Sequence, residues 1–418
     1  MMEETFDVCV AGGGSAGLAA AVAAARLGAR TLLVERHGAL GGMASAAFVH
    51  SVCGLYRLPA EGAPARMAND GLTAEFGTRL LASGGATGPV RLGRVDILLH
   101  RPAAFARLAD LLVQAEAVRL TVRLHTELTA ADAQSATLAC RGSLQRVRAA
   151  AWVDATGDAV LATLRGAPCE MEASGRLQRP AFIFALGGVE AACLEDDARL
   201  RLARRLVSAV QAGALPPGMM GAHFRASPQR GEAFVTIDLT GGNDFDPLDP
   251  ACLTRLETEG RNLGERLVDF LRSGAEGFAN AYVAAWPGRA GVRESRRVVG
   301  RHRIETEEVA AGAEFPDTVA HSAWPMELRE TANGPRLRFP AELRRCGVPL
   351  RALRARDDAR LFVAGRCLSC SHEAQAALRV IGTCLATGEA AGLAAALHAA
   401  HGDCDAAGVL AARRQIAR

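Results

Sequence analysis

Three groups of residues in this chain have types and spacings that can do chemistry. Gly12, Gly14 and Gly17 fill the positions of G-x-G-x-x-G in AGGGSAG, with Ser15 and Ala16 between them. Glycines so placed allow a tight turn, a close backbone approach to a pyrophosphate, and close packing of a helix on a sheet. The densest charge cluster is 293–297 (RESRR), in which Arg293, Arg296 and Arg297 surround Glu294. Such a cluster suits a bidentate carboxylate clamp, or equally an internal ion-pair network joining domains; Arg289 just upstream has the same two readings. Cys367 and Cys370 form C-x-x-C just before His372 and Glu373. A thiol pair can shuttle electrons if its thiolate pKa is low. An imidazole can exchange protons near neutral pH. The cysteines and His372 lack a fourth clustered ligand, so no metal site is read here.

The elements that position these residues follow from the pattern. Residues 6–11 (FDVCVA) are a short apolar run of β-formers leading straight into the glycines. Residues 15–27, dense in alanine and stopped by Gly28, predict a helix. Its N-terminus would offer unpaired N–H groups and about half a unit of positive charge to a pyrophosphate. A second strand, 30–34, ends at Glu35, roughly 20 residues past the motif, where a carboxylate bonds ribose hydroxyls and repels a 2′-phosphate. Arg36 follows, then Gly41, Gly42 and Met43 in a turn that lets the backbone pass close to a bulky ligand. Strand, motif, helix, strand and acid in this order specify a dinucleotide, with NADP disfavoured. Two more apolar strands end in glycine-bearing turns: 151–159 (AWVDATGDA), with Thr156, Gly157 and Asp158, and 361–366 (LFVAGR), with Gly365 and Arg366. Together they fit a nucleotide-binding sheet assembled from discontinuous segments.

On these stretches the chain resembles the FAD-dependent oxidoreductase family of the glutathione-reductase-like superfamily. The matching segments are 12–17, Glu35, 41–45, 154–159, 291–300 and 364–392, the last reading AGRCLSCSHEAQAALRVIGTCLATGEAAG. The resemblance implies FAD as cofactor, a Rossmann-type FAD domain and a second domain over the isoalloxazine. It identifies the cofactor better than the reaction. It implies that Glu127 lies where related flavoproteins contact adenine through the backbone. His372 and Arg379 then fall beside the flavin, His372 as acid/base or merely as a brace for its loop, Arg379 as a cation favouring the reduced ring. A helix begun at Gly382 and Thr383 would aim its N–H groups at the flavin pyrimidine carbonyl, or simply pack on the sheet. Two departures stand out. Family members often carry an Asp and a His in the segment 322–329 (SAWPMELR), where Glu327 and Arg329 stand here, and Cys370 is an addition to the family's AGRC pattern. Cys53 reads as a core residue or as a single thiol lining the site.

The expected class is α/β: a discontinuous Rossmann-type FAD-binding domain (1–52, 92–167 and 351–418) with an inserted α+β substrate domain (53–91 and 168–350). Within it a helix is expected at 102–115 and strands at 118–125 and 135–153; the insert should hold strands at 181–186 and 233–239 and helices at 196–212 and 250–273. Half of the residues are hydrophobic and 22% are charged, which supports a sizeable core and excludes wholesale disorder. A net charge of +3 is too small to argue for nucleic acid or an anionic membrane as partner. All 48 basic residues are arginine, which excludes Schiff-base and general-base lysines and Walker-type phosphate lysines. The N-terminus does not read as a secretory signal, and no apolar run reaches about 18 residues. Eleven scattered cysteines suggest reduced thiols and a cytoplasmic protein. The expected function is hydride transfer between flavin and a small polar, anionic substrate, with His372 as acid/base and Arg293 or Arg296 as anchor; the electron donor or acceptor and the oligomeric state are not specified. Two other readings stay open: a thiol–disulfide oxidoreductase using Cys367 and Cys370, and an electron-transfer flavoprotein subunit, although no iron–sulfur spacing is present. No second Asp-Gly-rich motif of the aromatic monooxygenases and no separate NAD(P)H-binding unit is found.

Overall fold

In a computed structural model, residues 4–60, 62–331 and 334–417 are described. The chain opens with β1 (Glu4–Ala11), α1 (Ser15–Arg26) and β2 (Thr31–Val34). It later adds α2 (Pro102–Ala115), β3 (Leu120–Arg123), β4 (Glu127–Ala131), β5 (Ser135–Cys140) and β6 (Ser143–Asp154) to the same sheet layer. The sheet order is β3-β2-β1-β6-β5-β4, parallel from β3 to β6 and antiparallel thereafter. The C-terminal half of β1 (8–11) and all of β2 are buried without alternation, as strands covered on both faces are. The pairing Ala11↔Val34, Ala11↔Asp154 and Val34↔Arg123 brings the C-terminal ends of four strands to one edge. The loops that leave those ends must therefore converge there, as open α/β sheets require of a ligand site. The strand expected at 135–153 is instead two, broken at Arg141 and Gly142, both with positive φ. That is a two-residue hairpin turn carrying arginine where asparagine or aspartate is usual, so its composition does not announce it.

The insert carries β7 (Ala181–Gly187), β8 (His223–Ala226), β9 (Glu232–Asp238), α3 (Pro250–Arg272) and β10 (Tyr282–Ala285). Its strands form an antiparallel sheet in the order β8-β9-β7-β10. Side chains alternate across it. Phe182, Phe184, Leu186, Val235 and Ile237 point into a second core with α3, while Ile183, Ala185 and Phe234 pack on the other face with Phe48 and Val49. Helix α3 buries Cys252, Leu256, Gly260, Leu263, Leu267 and Leu271 at helical spacing. It starts sharply because the Asp249 carboxylate accepts from the Ala251 and Cys252 N–H groups, with Pro250 in the first turn.

The chain then returns to the first sheet. Side chains such as Val298, Ile304, Val319 and Val348 pack into its core. β11 (Leu361–Val363) pairs parallel with β6, Val363 opposite Asp154, and adds a fifth loop to the convergent edge. α4 (His372–Leu378) and α5 (Ile381–His401) follow, bent by 91° at Arg379 and Val380. α5 lies against α1; a Cβ on Gly388 or Gly392 would collide with the Ala16 and Ala20 carbonyl oxygens. Among the described residues no single helix is long and apolar enough to cross a membrane.

Candidate functional site

The loops leaving the convergent edge enclose an elongated cavity. Gly12 and Gly14 form one wall, with Ser15 and Ala16 opening α1 behind them. The first turn of α1 has no acidic residue and no side-chain cap, so its dipole and free N–H groups are available to an anion. Gly17 lies beneath, where a Cβ would overlap the Gly12 carbonyl oxygen. Gly41 bridges to Gly14, its N–H donating to the Gly13 carbonyl at 2.8 Å, and a Cβ on Gly42 would stand 2.8 Å from the Gly14 Cα. The second glycine pair thus lets two backbones touch beside the helix N-terminus. At the end of β2, the buried Glu35 accepts from the Gly13 N–H at 2.6 Å and the His37 N–H at 2.8 Å. These bonds fix its carboxylate in the wall and leave lone pairs for a diol. Thr126, Glu127 and Leu128 line the cavity nearby.

Cations line the same space: Arg36, Arg289, Arg366 and Arg379. Asp158 organises two of them, accepting from Arg366 Nη2 and Ser295 Oγ at 2.7 Å each and lying 3.7 Å from Arg36 Nη2. Burial pushes the Asp158 carboxyl up, but the Arg366 guanidinium and the Ser295 hydroxyl outweigh it and hold the carboxyl below its ordinary value. Beneath, the buried Asp154 accepts from Thr156 N–H (3.0 Å), Thr156 Oγ1 (2.7 Å) and Ala162 N–H (2.8 Å). Those bonds press the Thr156–Gly157 turn against the cavity. Arg289 donates to His37 Nε2 at 3.2 Å, and burial lowers its pKa to about 10.

A second cavity, of about 190 Å³, shares Met43, Arg366, Arg379 and Ile381 with the first. Ala181, Ile183 and Thr236 of the insert sheet line one side. His50, Ser51 and Cys53 line it from the segment that follows Met43. Its charges are mostly paired: Arg293 with Asp238 at 2.9 Å, and Arg329 with Asp238 at 3.3 Å and Glu327 at 3.0 Å. Arg379 differs. Its Nη2 donates to the neutral Gln178 Oε1 at 3.1 Å, its Nε has no partner, and among the described residues no carboxylate forms an ion pair with it. Burial lowers its pKa, and Glu327 and Glu294 oppose this through space without forming an ion pair with it. Its position follows from the bend, since it caps α4 where the chain turns into α5.

The profile of the family described as FAD dependent oxidoreductase matches residues 7–413. The chain belongs to that family. It is accordingly a flavoenzyme with FAD as cofactor, built on an α/β fold with a Rossmann-type FAD domain. The first cavity fits FAD: an uncapped helix N-terminus for the pyrophosphate, glycine backbones that admit it, and Glu35 for the ribose hydroxyls. Similar solved structures include a geranylgeranyl bacteriochlorophyll reductase-like protein from Thermoplasma acidophilum, at 13% identity and TM-score 0.48, covering 99% of this chain and 84% of that one. Another is the flavin-dependent brominase Bmp2, at 12% identity and TM-score 0.47, covering 98% and 83%. A third is pqsL, a probable FAD-dependent monooxygenase from Pseudomonas aeruginosa, at 14% identity and TM-score 0.47, covering 99% and 91%. No curated protein matches the sequence.

In this flavoenzyme the residues singled out from sequence divide into groups. Gly12, Gly14, Ser15, Ala16, Glu35, Arg36, Gly42, Met43, Glu127, Thr156, Gly157, Gly365 and Arg366 all line the first cavity. Gly17 and Gly41 support it from behind, and Asp158 holds Arg366 without lining it. Gly382 and Thr383 do not face it. The Gly382 N–H donates to the Cys53 carbonyl at 2.9 Å, and Thr383 is buried with its hydroxyl 3.5 Å from Ser322 Oγ. α5 starts one residue earlier than expected, and Ile381 and Cys384 reach the cavity instead.

The catalytic set changes more. Arg379 lines both cavities and Arg293 the second, but Arg296 lines neither, its Nε donating to the Asp158 carbonyl at 3.0 Å. His372 also lines neither. Its Nδ1 lies 2.9 Å from Glu294 Oε1, and Glu294 also accepts from Arg297 Nη1 at 2.6 Å and the Gln178 N–H at 3.1 Å. Burial lowers the His372 pKa, but the Glu294 hydrogen bond and charge more than offset this and raise it overall. The RESRR run therefore splits: Arg293 turns to the cavity, while Glu294 and Arg297 form the internal network. Cys367 and Cys370 are fully buried and line neither cavity, and burial raises both thiols, Cys370 to about 12. This is the reverse of what a thiol shuttle needs. Residues that sequence reasoning passed over include His37 at the first cavity and His50 and His223 at the second. No motif flags them; the proximity of His37 to Glu35 and of His50 to the second glycine pair were the available signals.

Proposed function

We propose that this flavoenzyme transfers a hydride between FAD and a small polar, anionic organic substrate seated in the second cavity. The observation that supports this most is Arg379, a half-buried guanidinium on the wall common to both cavities, with no ion pair among the described residues. Its charge favours a substrate carboxylate on one side and negative charge at the cofactor's edge on the other. Arg293 and Arg329, held in place by Asp238, supply further donors for that carboxylate. Ala181, Ile183 and Thr236 bound the space and keep the substrate small. Bound FAD supplies the two-electron chemistry, while the chain orients the substrate and excludes water. Placement within the glutathione-reductase-like superfamily belongs to the same reading.

The test is anaerobic bleaching of bound FAD by a panel of small carboxylic acids and their neutral amides. Acids should bleach the flavin and amides should not. Arg379→Met should raise the acid concentration needed by about 30-fold or more, as for loss of a buried charge-assisted contact. Equal bleaching by acids and amides would overturn the proposal.

A further inference from the structure

The second cavity holds one buried polar group that the reading above does not use. The His50 ring lines it, stacked on Phe234 at 4.8 Å between centroids and 13° between planes. Its backbone carbonyl accepts from the His100 N–H at 2.8 Å, and its Nδ1 lies 3.2 Å from the Phe48 carbonyl oxygen. A carbonyl can only accept, so Nδ1 carries the proton and Nε2 keeps a lone pair. That Nε2 is buried without a hydrogen-bond partner among the described residues. A buried acceptor left unmatched costs free energy that a donor on a ligand would recover. Across the same cavity stands Arg379, which forms no ion pair among the described residues. The two vacant functions ask for one molecule carrying an anion and a neutral hydroxyl donor. An ammonium donor is disfavoured by the surrounding Arg293, Arg329 and Arg379.

We infer that the substrate is a small hydroxy acid, its carboxylate held by Arg379 and its hydroxyl donating to His50 Nε2, which takes the hydroxyl proton as the alcohol is oxidised. The inference rests on the anionic-substrate reading. The carbinol hydride passes to FAD, the O–H proton passes to His50, and the carbon–oxygen single bond becomes a carbonyl. The alcohol thus loses two electrons and the flavin gains them. Burial, with His100 alongside, lowers the His50 pKa to about 3, so the ring is neutral at ordinary pH and its Nε2 lone pair is free for the substrate hydroxyl. A substrate carboxylate arriving beside it raises its proton affinity.

Equilibrium binding to the FAD-loaded protein, measured by calorimetry, tests this with matched probes: lactate against propionate, and malate against succinate. In the unmodified protein at least one hydroxy acid should bind about fivefold or more tighter than its deoxy partner, the worth of one net hydrogen bond. His50→Phe, which keeps the stack on Phe234, should reduce that ratio to about 1 and slow anaerobic bleaching by about 100-fold or more. His50→Gln, which retains an acceptor, should restore part of the binding preference. Binding of both members of each pair with equal affinity in the unmodified protein would overturn the inference and leave the anionic-substrate reading standing. Failure of all four acids to bind would overturn both.

Discussion

Arg293, Arg329 and Arg379 share one cavity but not one electrostatic state. The first two form ion pairs with Asp238 and Glu327, whereas Arg379 forms none among the described residues. Removing a counter-charge should therefore release more cation for a ligand. Glu327→Gln is expected to tighten small-carboxylate binding by about fivefold, because an opposing charge a few ångströms away is worth on the order of 1 kcal/mol or more near a protein surface. Calorimetry measures this directly, and unchanged or weaker binding would show that Arg329 does not contribute to anion affinity. Why some of these residues were legible and others not is a matter of distance along the chain. Gly14 and Glu35 act within one βαβ unit, so spacing alone revealed them. The pairing state of Arg379 depends on Gln178, and on Glu327 and Glu294 reaching it only through space, which spacing along the chain cannot show. For the same reason adjacency to the AGRC strand could not separate the acid/base from the bracing reading of His372, whose ring the first turn of α4 directs to Glu294.

On the scale of elements, β7 divides the insert's two tasks between alternate residues. Phe184 fills the core against α3, and Ile183 meets the cavity. Phe184→Ala should destabilise the protein by about 3–5 kcal/mol in chemical denaturation. Ile183→Val should cost no more than about 1.5 kcal/mol and shift binding toward acids one methylene larger. A Phe184→Ala protein as stable as the parent would contradict the facing assigned to this strand. The strand at 181–187 was visible as an apolar run, but a run with no polar alternation does not say which residues face which way. The α1–α5 contact was equally hidden. Gly388 and Gly392 look like ordinary helix glycines until Ala16 and Ala20 are found against them. Gly388→Leu should therefore displace α5 from α1, lowering both melting temperature and FAD content; retention of full FAD occupancy would argue against this contact as a support of the site.

At the scale of the whole molecule, Glu294 ties together Gln178, Arg297 and His372, residues far apart in sequence. The raised His372 pKa makes its contribution to stability fully present below pH 6.5 and lost as pH rises through the folded value. The Glu294 pKa is lowered, burial being outweighed by His372, so its contribution is present above pH 4.5 and lost as pH falls. The melting-temperature gap between the parent and His372→Gln should thus be greatest between pH 4.5 and 6.5 and shrink above that range. A gap that widened toward pH 9 would refute this account of the pair. The return of the chain at 361–363 to the opening sheet was foreseeable because each nucleotide-site strand carries its own glycine turn; the split hairpin at Arg141 was not. The wall of Met43, Arg366, Arg379 and Ile381 common to the two cavities has a thermodynamic consequence. Whatever factor bound FAD adds to the affinity for an acid, the acid must add to the affinity for FAD. An acid that binds the holoprotein more tightly than the apoprotein should slow the loss of flavin on dialysis, and an acid indifferent to the cofactor should leave that loss unchanged.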